Sequence, residues 1–437
     1  MNTESTIVGI IGLGYVGQPT VAAFLKCGYT VIGIESDSAK VRQLNNGKGF
    51  VHEPGVAEQF KISKSRLTIS TDHSLLRKAD AIVITVGTPL NQNGTADLSS
   101  VETMATALAE ILHNGQLIML RSTVPPGTTR RLGHAIEEIS DLKQGEDFHL
   151  AFAPERTVEG IAMQELFSLP SIIGGIDERA TELAENLLKP FTTTLVRVDS
   201  PETAELCKLA DNAYRAVNIA FANEFGQICE AAGTNAYAVV AAVSNAYPRT
   251  NLFRPGLGAN GPCLSKDPSI LASFAKNIGI NSQIIRSSIA INIASTRRVS
   301  REVTEFIRSH SNATLNVAVL GMAFKGNPET DDTRNSPAVD VLTELEEIDD
   351  KLGTITCYDP VVTRLNDHTM TTSIDHVLSD ANIVLILNDH VSLNSLPVTR
   401  VMELCSKPLL IVDPWHNIVI DTDLPNYVTI KQFGKGK

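Results

Sequence analysis

A glycine-rich turn between an apolar strand and a helix is the feature that most constrains this fold. The apolar run Ile7–Ile11 leads at once into the turn Gly12–Gly17, whose sequence fits the pattern GxGxxG. A helical pattern follows as far as Gly28, and a second strand, Thr30–Glu35, ends in an acid. The GxGxxG pattern alone is weak evidence, but its place between a strand and a helix, with an acid closing the next strand, makes it strong. The segment predicts a βαβ unit that binds a dinucleotide.

Each part of this turn suits a pyrophosphate. The first two glycines allow a tight turn and a close approach of the phosphates to the helix N-terminus, and the third allows close packing of helix and strand. The acid, Glu35, is expected to hydrogen-bond the adenosine ribose and to repel a 2′-phosphate, which favours NAD over NADP. A glycine turn that binds nothing is the alternative. The predicted cofactor contacts from this unit are Gly12, Gly14, Tyr15, Val16, Gly17, Glu35 and Lys40.

Three further apolar runs continue the same parallel sheet, at Asp80–Val86, Gln116–Thr123 and His149–Pro154. Ligands of open α/β sheets bind at the carboxyl ends of the strands. For Thr88 and Ser122, a role in capping or turn formation is equally open. The acid in the turn Pro154–Arg156 is a stronger candidate, because it follows a buried strand directly. The side chains placed around cofactor and substrate by this argument are Thr88, Ser122, Thr123, Glu155 and Glu159.

The last third of the chain repeats the pattern of the first. Leu315–Gly321 restates the first strand and its glycine, and Asp380–Leu387 restates Asp80–Val86 down to the leading Asp-Ala. The turn Gly321–Gly326 lacks the second glycine of the fingerprint, so a pyrophosphate cannot lie as closely, although Lys325 could reach a phosphate. We therefore expect this half to bind a nucleotide in another pose.

The middle of the chain is predicted to be helical. Ser200-Pro201 marks a helix start, and nothing breaks the helix before Gly233, a length of roughly 45 Å. Its Ala-, Ile- and Phe-rich face suits the core of a dimer. Lys208 and Asn212 share one face. A solvated lysine is the ordinary alternative, but the apolar residues around it favour a buried, functional ammonium.

The stretch Arg254–Pro268 holds three glycines and three prolines, which predicts a loop without helix or central strand. It carries one thiol, Cys263, four residues before Asp267. Asp267-Pro268 reads as a helix start with the aspartate as N-cap, which would place the thiol where a helix N-terminus favours the thiolate. The alternative is a small buried cysteine without reactivity.

The predicted fold is α/β, with two Rossmann-like doubly wound parallel-sheet domains joined by a helical central domain that contains a long helix. The expected boundaries are 1–199 for the NAD-binding domain, 200–311 for the central dimerisation domain and 312–437 for the second nucleotide-binding domain. Net charge is −12 without a basic block, so nucleic acid or an anionic membrane is not an expected partner.

The six cysteines lie far apart without a CxxC pair, and there is no HExxH motif, so neither a zinc site nor a disulfide framework nor any other metal site is expected. No apolar run approaches ~20 residues, the length that spans a membrane. The first strand follows Met1 too closely for a signal peptide. These features predict a cytoplasmic protein.

Taken together, the motifs resemble those of the nucleotide-sugar 6-dehydrogenase family (UDP-glucose/GDP-mannose dehydrogenases) over nearly the whole chain. Three further segments resemble the branch that oxidises UDP-N-acetyl-D-mannosamine: Thr203–Leu209, Arg215–Glu224 and Tyr247–Leu252. The motifs that carry the family resemblance are Gly12–Gly17, Ser122-Thr-Val-Pro-Pro-Gly127, Pro154-Glu-Arg156, Lys208-x-x-x-Asn212, Cys263-x-x-x-Asp267, and Phe324-Lys325 with Asp332-Thr-Arg334.

The resemblance implies a four-electron oxidation of a sugar C6 alcohol to a carboxylate with two NAD. Cys263 would form a thiohemiacetal and then a thioester. Lys208 and Asn212 would stabilise the oxyanion, Asp267 with Thr123 would position or activate water, and Glu155 would take part in hydrolysis. Arg249 would contact the sugar across a homodimer built on the central helix, which could assemble further, and Arg334 would join the third domain to the cofactor. The implied substrate contacts are Glu155, Arg156, Lys208, Asn212, Arg249, Asn251, Phe253, Gly256, Gly261, Phe324 and Lys325.

Some residues depart from the family pattern. Asn260-Gly261-Pro262 replaces Gly-Gly-His, Lys266 stands where an apolar residue is usual, and Asp413-Pro-Trp-His416 replaces the usual strand ending. UDP-glucose, UDP-N-acetylglucosamine and UDP-N-acetylgalactosamine therefore stay open as substrates. Two other functions also stay open: a two-electron hydroxy-acid-type dehydrogenase with Cys263 idle, and a nucleotide-sugar or NAD sensor without turnover.

Overall fold

The computed structural model describes residues 3–310, 314–347, 352–365 and 368–436. The chain divides into two compact units, one formed by Met1–Asp211 and Ile270–Ile280 and the other by Asn212–Ser269 and Asn281–Lys437. The three-domain boundaries expected from the sequence stay a prediction.

The first unit is built on an eight-stranded sheet with the order β3-β2-β1-β4-β5-β6-β7-β8. All neighbouring pairs are parallel except β6 with β7. The strands are β1 (Ile7–Ile11), β2 (Thr30–Ile34), β3 (Leu67–Ser70), β4 (Ala81–Ile84), β5 (Gln116–Leu120), β6 (Phe148–Phe152), β7 (Ser171–Gly175) and β8 (Leu195–Arg197). The helices are α1 (Gly17–Lys26), α2 (Ser38–Asn45), α3 (Val56–Ile62), α4 (Ser99–Ala109), α5 (Thr128–Ile139), α6 (Ala162–Ser168) and α7 (Glu178–Leu188).

Strand β5 shows why this sheet is buried on both faces. Its five residues are all buried. Leu117 and Met119 pack into the hydrophobic cluster on one face, while Ile118 and Leu120 pack into the cluster on the other. Continuous apolar strands are the pattern of parallel sheets covered by helices on both sides. The strand order reverses between β1 and β4, and ligand sites of doubly wound sheets lie at such a point.

Long helices follow. Helix α8 (Pro201–Ala231) begins in the first unit and ends in the second, and it is followed by α9 (Ala236–Ser244), α10 (Gly261–Leu264), α11 (Asp267–Asn277) and α12 (Gln283–Ser309). The long helix predicted from Ser200-Pro201 to the residue before Gly233 is confirmed to within one residue at its C-terminal end.

The second unit contains a six-stranded, wholly parallel sheet with the order β11-β10-β9-β12-β14-β16 and a small pair, β13-β15. Two hydrophobic clusters cover the faces of the larger sheet. The predicted α/β class with two Rossmann-like sheets is confirmed. The elements are β9 (Leu315–Leu320), α13 (Pro337–Glu346), β10 (Leu352–Tyr358), β11 (Thr369–Thr371), α14 (Ile374–Leu378), β12 (Ile383–Ile386), β13 (Leu396–Pro397), α15 (Val398–Leu404), β14 (Leu409–Val412), β15 (Ile418–Val419) and β16 (Val428–Lys431).

Candidate functional site

The glycine turn after β1 has the geometry of a phosphate cradle. Gly12 has a φ of +89°, which favours glycine, and an added Cβ there would lie 3.1 Å from the Thr85 backbone. Gly17 opens α1, and a Cβ on it would collide with the Gly12 carbonyl oxygen. At Gly14 the surroundings are open, because no atom of the described residues lies within 4 Å of an added Cβ. Gly12 and Gly17 therefore close the turn tightly, whereas Gly14 faces open space.

Glu35 lies directly beside this turn. It follows β2, is 9% exposed, and its Oε2 accepts from the Leu13 N–H at 3.1 Å. Its Oε1 accepts from the Asp37 N–H at 3.1 Å and from the Ser36 hydroxyl at 3.3 Å. A carboxylate offers about four acceptor positions, so it keeps capacity for a further donor such as a ribose hydroxyl. Lys40, on α2, lies over the Phe50 ring at 5.1 Å from the centroid.

Two predicted site hydroxyls join the ends of neighbouring strands. Thr88 Oγ1 donates to the Thr123 carbonyl at 2.6 Å, and Ser122 Oγ donates to the Val86 carbonyl at 2.7 Å. Both side chains are buried. Thr88 and Ser122 therefore do hold turns, the alternative that the sequence left open. Their hydrogen bonds fix the backbone around Thr123, which is partly exposed.

The acids after β6 lie in a tightly held loop. Glu155 Oε1 accepts from the Thr157 N–H, and Arg156 Nε pairs with Asp211 Oδ2 at 2.8 Å. Glu159 follows in the same loop, before α6. Burial lowers the pKa of the Arg121 guanidinium, and the Glu155 carboxylate opposes that shift. Sequence reasoning missed Arg121, although its place one residue before the predicted Ser122 was a usable signal.

A second residue missed by sequence reasoning is Glu205, on α8. Its carboxylate is fully buried and binds the start of α5: Oε2 accepts from the Gly127 N–H at 2.5 Å, and Oε1 accepts from the Thr129 N–H at 2.8 Å and its hydroxyl at 2.7 Å. It thereby ties α8, three residues before Lys208, to the segment that carries Thr123. Burial raises the pKa of Glu205 to about 7, against these hydrogen bonds.

This raised pKa predicts a pH-dependent stability. The folded-state pKa of Glu205 exceeds its ordinary value of 4.5, so the stability that this side chain contributes is full below pH 4.5 and is lost as the pH rises through about 7. The Glu205→Gln variant does not titrate. We expect its free energy of unfolding, relative to that of wild type, to increase by about 3 kcal/mol between pH 4.5 and 8, because only wild type loses stability over this range. Urea unfolding at several pH values measures this difference.

The control is Glu202→Gln, one turn earlier on α8. Glu202 pairs with Arg130 at 2.9 Å, and that guanidinium lowers its pKa. The stability that Glu202 contributes is present above its ordinary pKa and is lost as the pH falls, which is opposite to the pH dependence expected for Glu205. Parallel stability profiles for wild type and Glu205→Gln would contradict the assignment.

The predicted catalytic residues of α8 are buried. Lys208 is 7% and Asn212 4% exposed, one helical turn apart, so a solvated lysine is excluded. Asn212 Nδ2 donates to Asp267 Oδ2 at 2.6 Å. Lys266 Nζ lies 2.9 Å from Asp267 Oδ1, and Asp267 is fully buried. The amide and the ammonium hold this carboxylate inside the second unit.

The expected N-cap at Asp267 is therefore wrong. Helix α11 begins at Asp267 itself, and the carboxylate binds Asn212 and Lys266. A buried carboxylate needs charged or strongly polar partners, and these two side chains supply them.

The expectation of a loop throughout Arg254–Pro268 is also wrong, because Cys263 lies in the one-turn helix α10. Gly261, at φ +81°, and Pro262 permit this turn, since glycine adopts the left-handed backbone and proline is tolerated at a helix start. Asn260 Nδ2 donates to the Leu257 and Gly258 carbonyls at 2.9 and 3.0 Å. Asn260 stands where the family pattern has the first glycine of Gly-Gly-His, and its side chain hydrogen-bonds the backbone of its own loop.

Cys263 is the exposed thiol among six cysteines, all of which lie in the described residues. Cys229 and Cys357 are buried, and the other three are partly buried. Burial raises the pKa of Cys27 to about 11 and of Cys357 and Cys405 to about 12, so these thiols stay protonated and unreactive near neutral pH. Cys263 is the most solvent-exposed of the six thiols.

One of the predicted nucleotide residues of the second unit, Phe324, lies against the Cys263 turn. A Cβ on Gly261 would collide with the Phe324 ring, so that ring lies against the turn. Lys325 Nζ donates to the Pro328 carbonyl at 2.6 Å. Arg334 is held by the Asp332 carboxylate, with Nε at 2.9 Å from Oδ1.

The remaining predicted substrate residues lie before this turn. At Gly256 an added Cβ would lie 3.0 Å from the Trp415 ring. Arg249 is exposed and contacts the Tyr247 hydroxyl at 3.3 Å. Asn251 is exposed and Phe253 partly buried on the same segment.

The acid at the end of β10 is used differently from Glu35. Asp359 Oδ2 accepts from the Met322 and Ala323 N–H groups at 2.7 and 3.1 Å, and Oδ1 accepts from those of Val361 and Val362 at 2.8 Å. These four donors occupy the acceptor positions of the carboxylate. The second glycine turn therefore has no acid left for a ribose, which supports the expected different nucleotide pose.

Within the described ranges, no helix has the length and apolar character needed to cross a bilayer. The same residues contain no group of three or more His, Cys, Asp or Glu side chains that could hold a metal ion.

Three family models match the chain in succession. They describe the UDP-glucose/GDP-mannose dehydrogenase family's NAD-binding domain over residues 6–192, its central domain over 202–294 and its UDP-binding domain over 318–420. Together they account for most of the chain.

Similar proteins carry related names. A UDP-N-acetyl-D-mannosamine dehydrogenase of Pyrococcus horikoshii is 35% identical over 88% of this chain and 89% of its own. An NDP-N-acetyl-D-galactosaminuronic acid dehydrogenase of Ralstonia nicotianae is 33% identical over 90% and 93%. The solved UDP-D-ManNAc dehydrogenase from Pyrococcus horikoshii superposes with a TM-score of 0.87 at 31% identity, over 98% and 99% of the two chains. A UDP-glucose dehydrogenase structure from Pyrobaculum islandicum gives 0.83 at 27%, over 100% and 99%.

Proposed function

Because the chain belongs to the UDP-glucose/GDP-mannose dehydrogenase family, and is an NAD-dependent UDP-sugar 6-dehydrogenase, we propose that its substrate is UDP-N-acetyl-D-mannosamine. The product is then UDP-N-acetyl-D-mannosaminuronate. The observation that carries the chemistry is the exposed Cys263 on a turn bounded by Phe324, in the same unit as the buried pair Asn212–Asp267. The naming of the sugar rests on the relatives and on the segments Thr203–Leu209, Arg215–Glu224 and Tyr247–Leu252.

The first unit fits NAD. Gly14 leaves open space where a phosphate approaches, and Glu35 keeps acceptor capacity beside the turn. We assign binding of the cofactor to these residues with Gly12, Gly17 and the loops after β4 and β5. NAD, when bound, accepts one hydride in each of the two oxidations. The predicted ranges 1–199, 200–311 and 312–437 would then hold the cofactor, the dimer interface and the UDP moiety.

The roles of the chain's residues follow from the chemistry of the sugar. The C6 alcohol loses a proton and a hydride to give an aldehyde. The Cys263 thiolate adds to the aldehyde carbon, and Lys208 and one N–H of the Asn212 amide stabilise the resulting oxyanion. The other N–H of that amide donates to Asp267. The second hydride loss converts the thiohemiacetal to a thioester.

Water then cleaves the carbon–sulfur bond, which releases the carboxylate and returns the thiolate. We assign Asp267 and Thr123 to the positioning of this water and Glu155 to its activation. The Asp267 carboxylate already accepts from the Asn212 amide and lies 2.9 Å from Lys266 Nζ, so we assign it the part of a hydrogen-bond acceptor. We further assign Arg249, Asn251 and Phe253 to the sugar.

Other sugars have support of their own. The Ralstonia relative is named for an N-acetylgalactosaminuronic acid and the Pyrobaculum structure for UDP-glucose. Lys266 departs from the apolar residue usual in the N-acetylmannosamine branch. The order of preference is therefore N-acetylmannosamine first, then N-acetylgalactosamine, N-acetylglucosamine and glucose.

The deciding experiment measures NADH formed per sugar consumed, with UDP-N-acetylmannosamine, UDP-N-acetylglucosamine, UDP-N-acetylgalactosamine, UDP-glucose and GDP-mannose each limiting. Two NADH from UDP-N-acetylmannosamine, at a kcat/KM at least about tenfold above the others, is the expected result; this ratio corresponds to about 1.4 kcal/mol. Two NADH from another sugar would move the substrate assignment. One NADH would favour the two-electron dehydrogenase, and tight binding without NADH would favour a sensor.

We also propose a homodimer through the central helix. Tyr214, Phe221 and Ile228 are 62%, 57% and 58% exposed and recur every seven residues along α8, so they share one face. Phe221 also stacks on Phe225 at 6.1 Å between ring centroids. Burial of each such side chain is worth about 1.5–3 kcal/mol.

The Phe221→Asp variant is expected to shift the protein from dimer to monomer in sedimentation equilibrium, because it places a charge in this apolar row. Ile62→Asp is the matched control, since Ile62 is 71% exposed on α3. A dimer of unchanged stability in Phe221→Asp would exclude this helix face as the interface.

We place the enzyme in the cytoplasm. The six well-separated cysteines suit a reducing compartment. Cell fractionation with antibody detection checks this, and recovery in a periplasmic or secreted fraction would contradict it.

A further inference from the structure

Asn335 contacts the Cys263 turn at both ends. Its carbonyl accepts from the Gly261 N–H at 2.9 Å, and its Nδ2 donates to Ser265 Oγ at 2.9 Å. Gly261 opens the one-turn helix α10 and Ser265 follows its last residue. The two hydrogen bonds from one residue therefore bracket the segment that presents Cys263.

The backbone of Asn335 makes this double contact possible. Its φ is +50°, in the left-handed region that few non-glycine residues adopt and in which asparagine is enriched. Ser265 Oγ in turn donates to the Gly261 carbonyl at 2.6 Å, four residues back. Asn335, Ser265 and Gly261 thus form a closed set of three hydrogen bonds around the turn.

The segment that carries Asn335 also holds the predicted nucleotide turn. The Phe324 N–H donates to the Asp332 carbonyl at 3.0 Å, which joins Phe324-Lys325 to the residues before Asn335. The Phe324 ring lies against Gly261. The Cys263 turn is therefore fixed from two directions by one part of the second unit.

We propose that Asn335 and Ser265 are positioning residues for Cys263 and act in the thiol-dependent half of the reaction. This rests on the proposed function. Formation of the thiohemiacetal needs the sulfur within bonding reach of the aldehyde carbon, and a displacement of about 1 Å can lower such a step 10²-fold. The first oxidation, from alcohol to aldehyde, does not use the thiol and therefore does not depend on this bracket.

The test compares Asn335→Gly, Ser265→Ala and the double variant. Glycine keeps the left-handed backbone and the carbonyl that accepts from Gly261, and removes only the amide. The control is Ser395→Gly, which introduces a glycine at another left-handed position, φ +62°, in the loop before β13. Two half-reactions are followed: the first hydride transfer in a single turnover of the UDP-sugar alcohol, and oxidation of the corresponding UDP-sugar C6 aldehyde supplied directly.

We expect kcat for the aldehyde to fall about tenfold in each single variant with KM unchanged, and the first hydride transfer to keep its wild-type rate. The double variant should lose no more than the worse single one, because both changes break the same set of contacts. Equal losses in the two half-reactions, or wild-type rates in both, would overturn the proposal.

A readout without turnover separates this proposal from the proposed function. The rate at which iodoacetamide alkylates Cys263, followed by peptide mass spectrometry, should differ at least about threefold between Asn335→Gly and Ser395→Gly. If no UDP-sugar is turned over, this rate alone decides, and identical alkylation of the two variants would overturn the positioning role.

Discussion

Replacing Cys263 with serine is expected to stop the enzyme between aldehyde and carboxylate. A serine hydroxyl is a far weaker nucleophile than a thiolate at neutral pH, so the covalent intermediate does not form at a useful rate. We expect carboxylate formation to fall by at least about 10³-fold, the scale on which removal of a nucleophile lowers kcat. NADH formation in a single turnover should persist, at no more than one per sugar. Mass spectrometry of the sugar nucleotide measures the product directly.

The matched control for this variant is Cys405→Ser. Cys405 is partly buried, and burial raises its pKa to about 12, so it has no part in the chemistry. Its Sγ contacts the Leu378 carbonyl at 3.3 Å, a contact that a hydroxyl can replace. Carboxylate at the wild-type rate from Cys263→Ser would disprove the thioester mechanism and favour the hydroxy-acid type of dehydrogenase.

Gly17→Ala is expected to remove NAD binding. The new Cβ would collide with the Gly12 carbonyl oxygen and would lie 3.1 Å from Thr85 Oγ1. The carbonyl belongs to the backbone of the turn, which must therefore open, and the phosphate cradle is lost with it. We expect the Kd for NAD, measured by calorimetry, to rise about 10²-fold, equivalent to about 2.7 kcal/mol.

Gly14→Ala separates this steric effect from a general loss of structure. Its Cβ meets no atom of the described residues within 4 Å, so the variant should unfold at the same urea concentration as wild type. It should still weaken NAD binding, because the methyl group occupies the space that a phosphate approaches. If Gly17→Ala bound NAD as tightly as wild type, the turn would not be the cofactor site.

The fold could be predicted from sequence because its signals are local. The turn Gly12–Gly17 and the acid Glu35 lie within one βαβ unit, and the repeat from Leu315 onward has the same spacing. Cys263 could also be singled out from the sequence as the candidate nucleophile, although its one-turn helix could not be predicted. Glycine and proline around Cys263 argue against any helix, whereas a single turn needs only the left-handed Gly261 and a proline at its start.

The contacts that support the site join distant parts of the chain and could not be predicted, even where the residues themselves were. Asn212 and Asp267 are 55 residues apart, Glu205 and Thr129 are 76 apart, and Asn335 and Ser265 are 70 apart. In each case a side chain meets a partner only after the tertiary fold has formed. No local pattern distinguishes such a residue from an ordinary helix or turn position.

The Asp359 carboxylate, whose acceptor positions are filled by four backbone N–H groups, limits how the second sheet could be redesigned to bind a dinucleotide. Restoring the fingerprint by Ala323→Gly would make room at the turn but would leave the acid bound to its four backbone N–H groups. A redesign for dinucleotide specificity must therefore rebuild the loop after β10 as well, so that Val361 and Val362 no longer hold the carboxylate. Two halves with one architecture thus differ at two points, a missing glycine and a carboxylate whose acceptor positions are already filled.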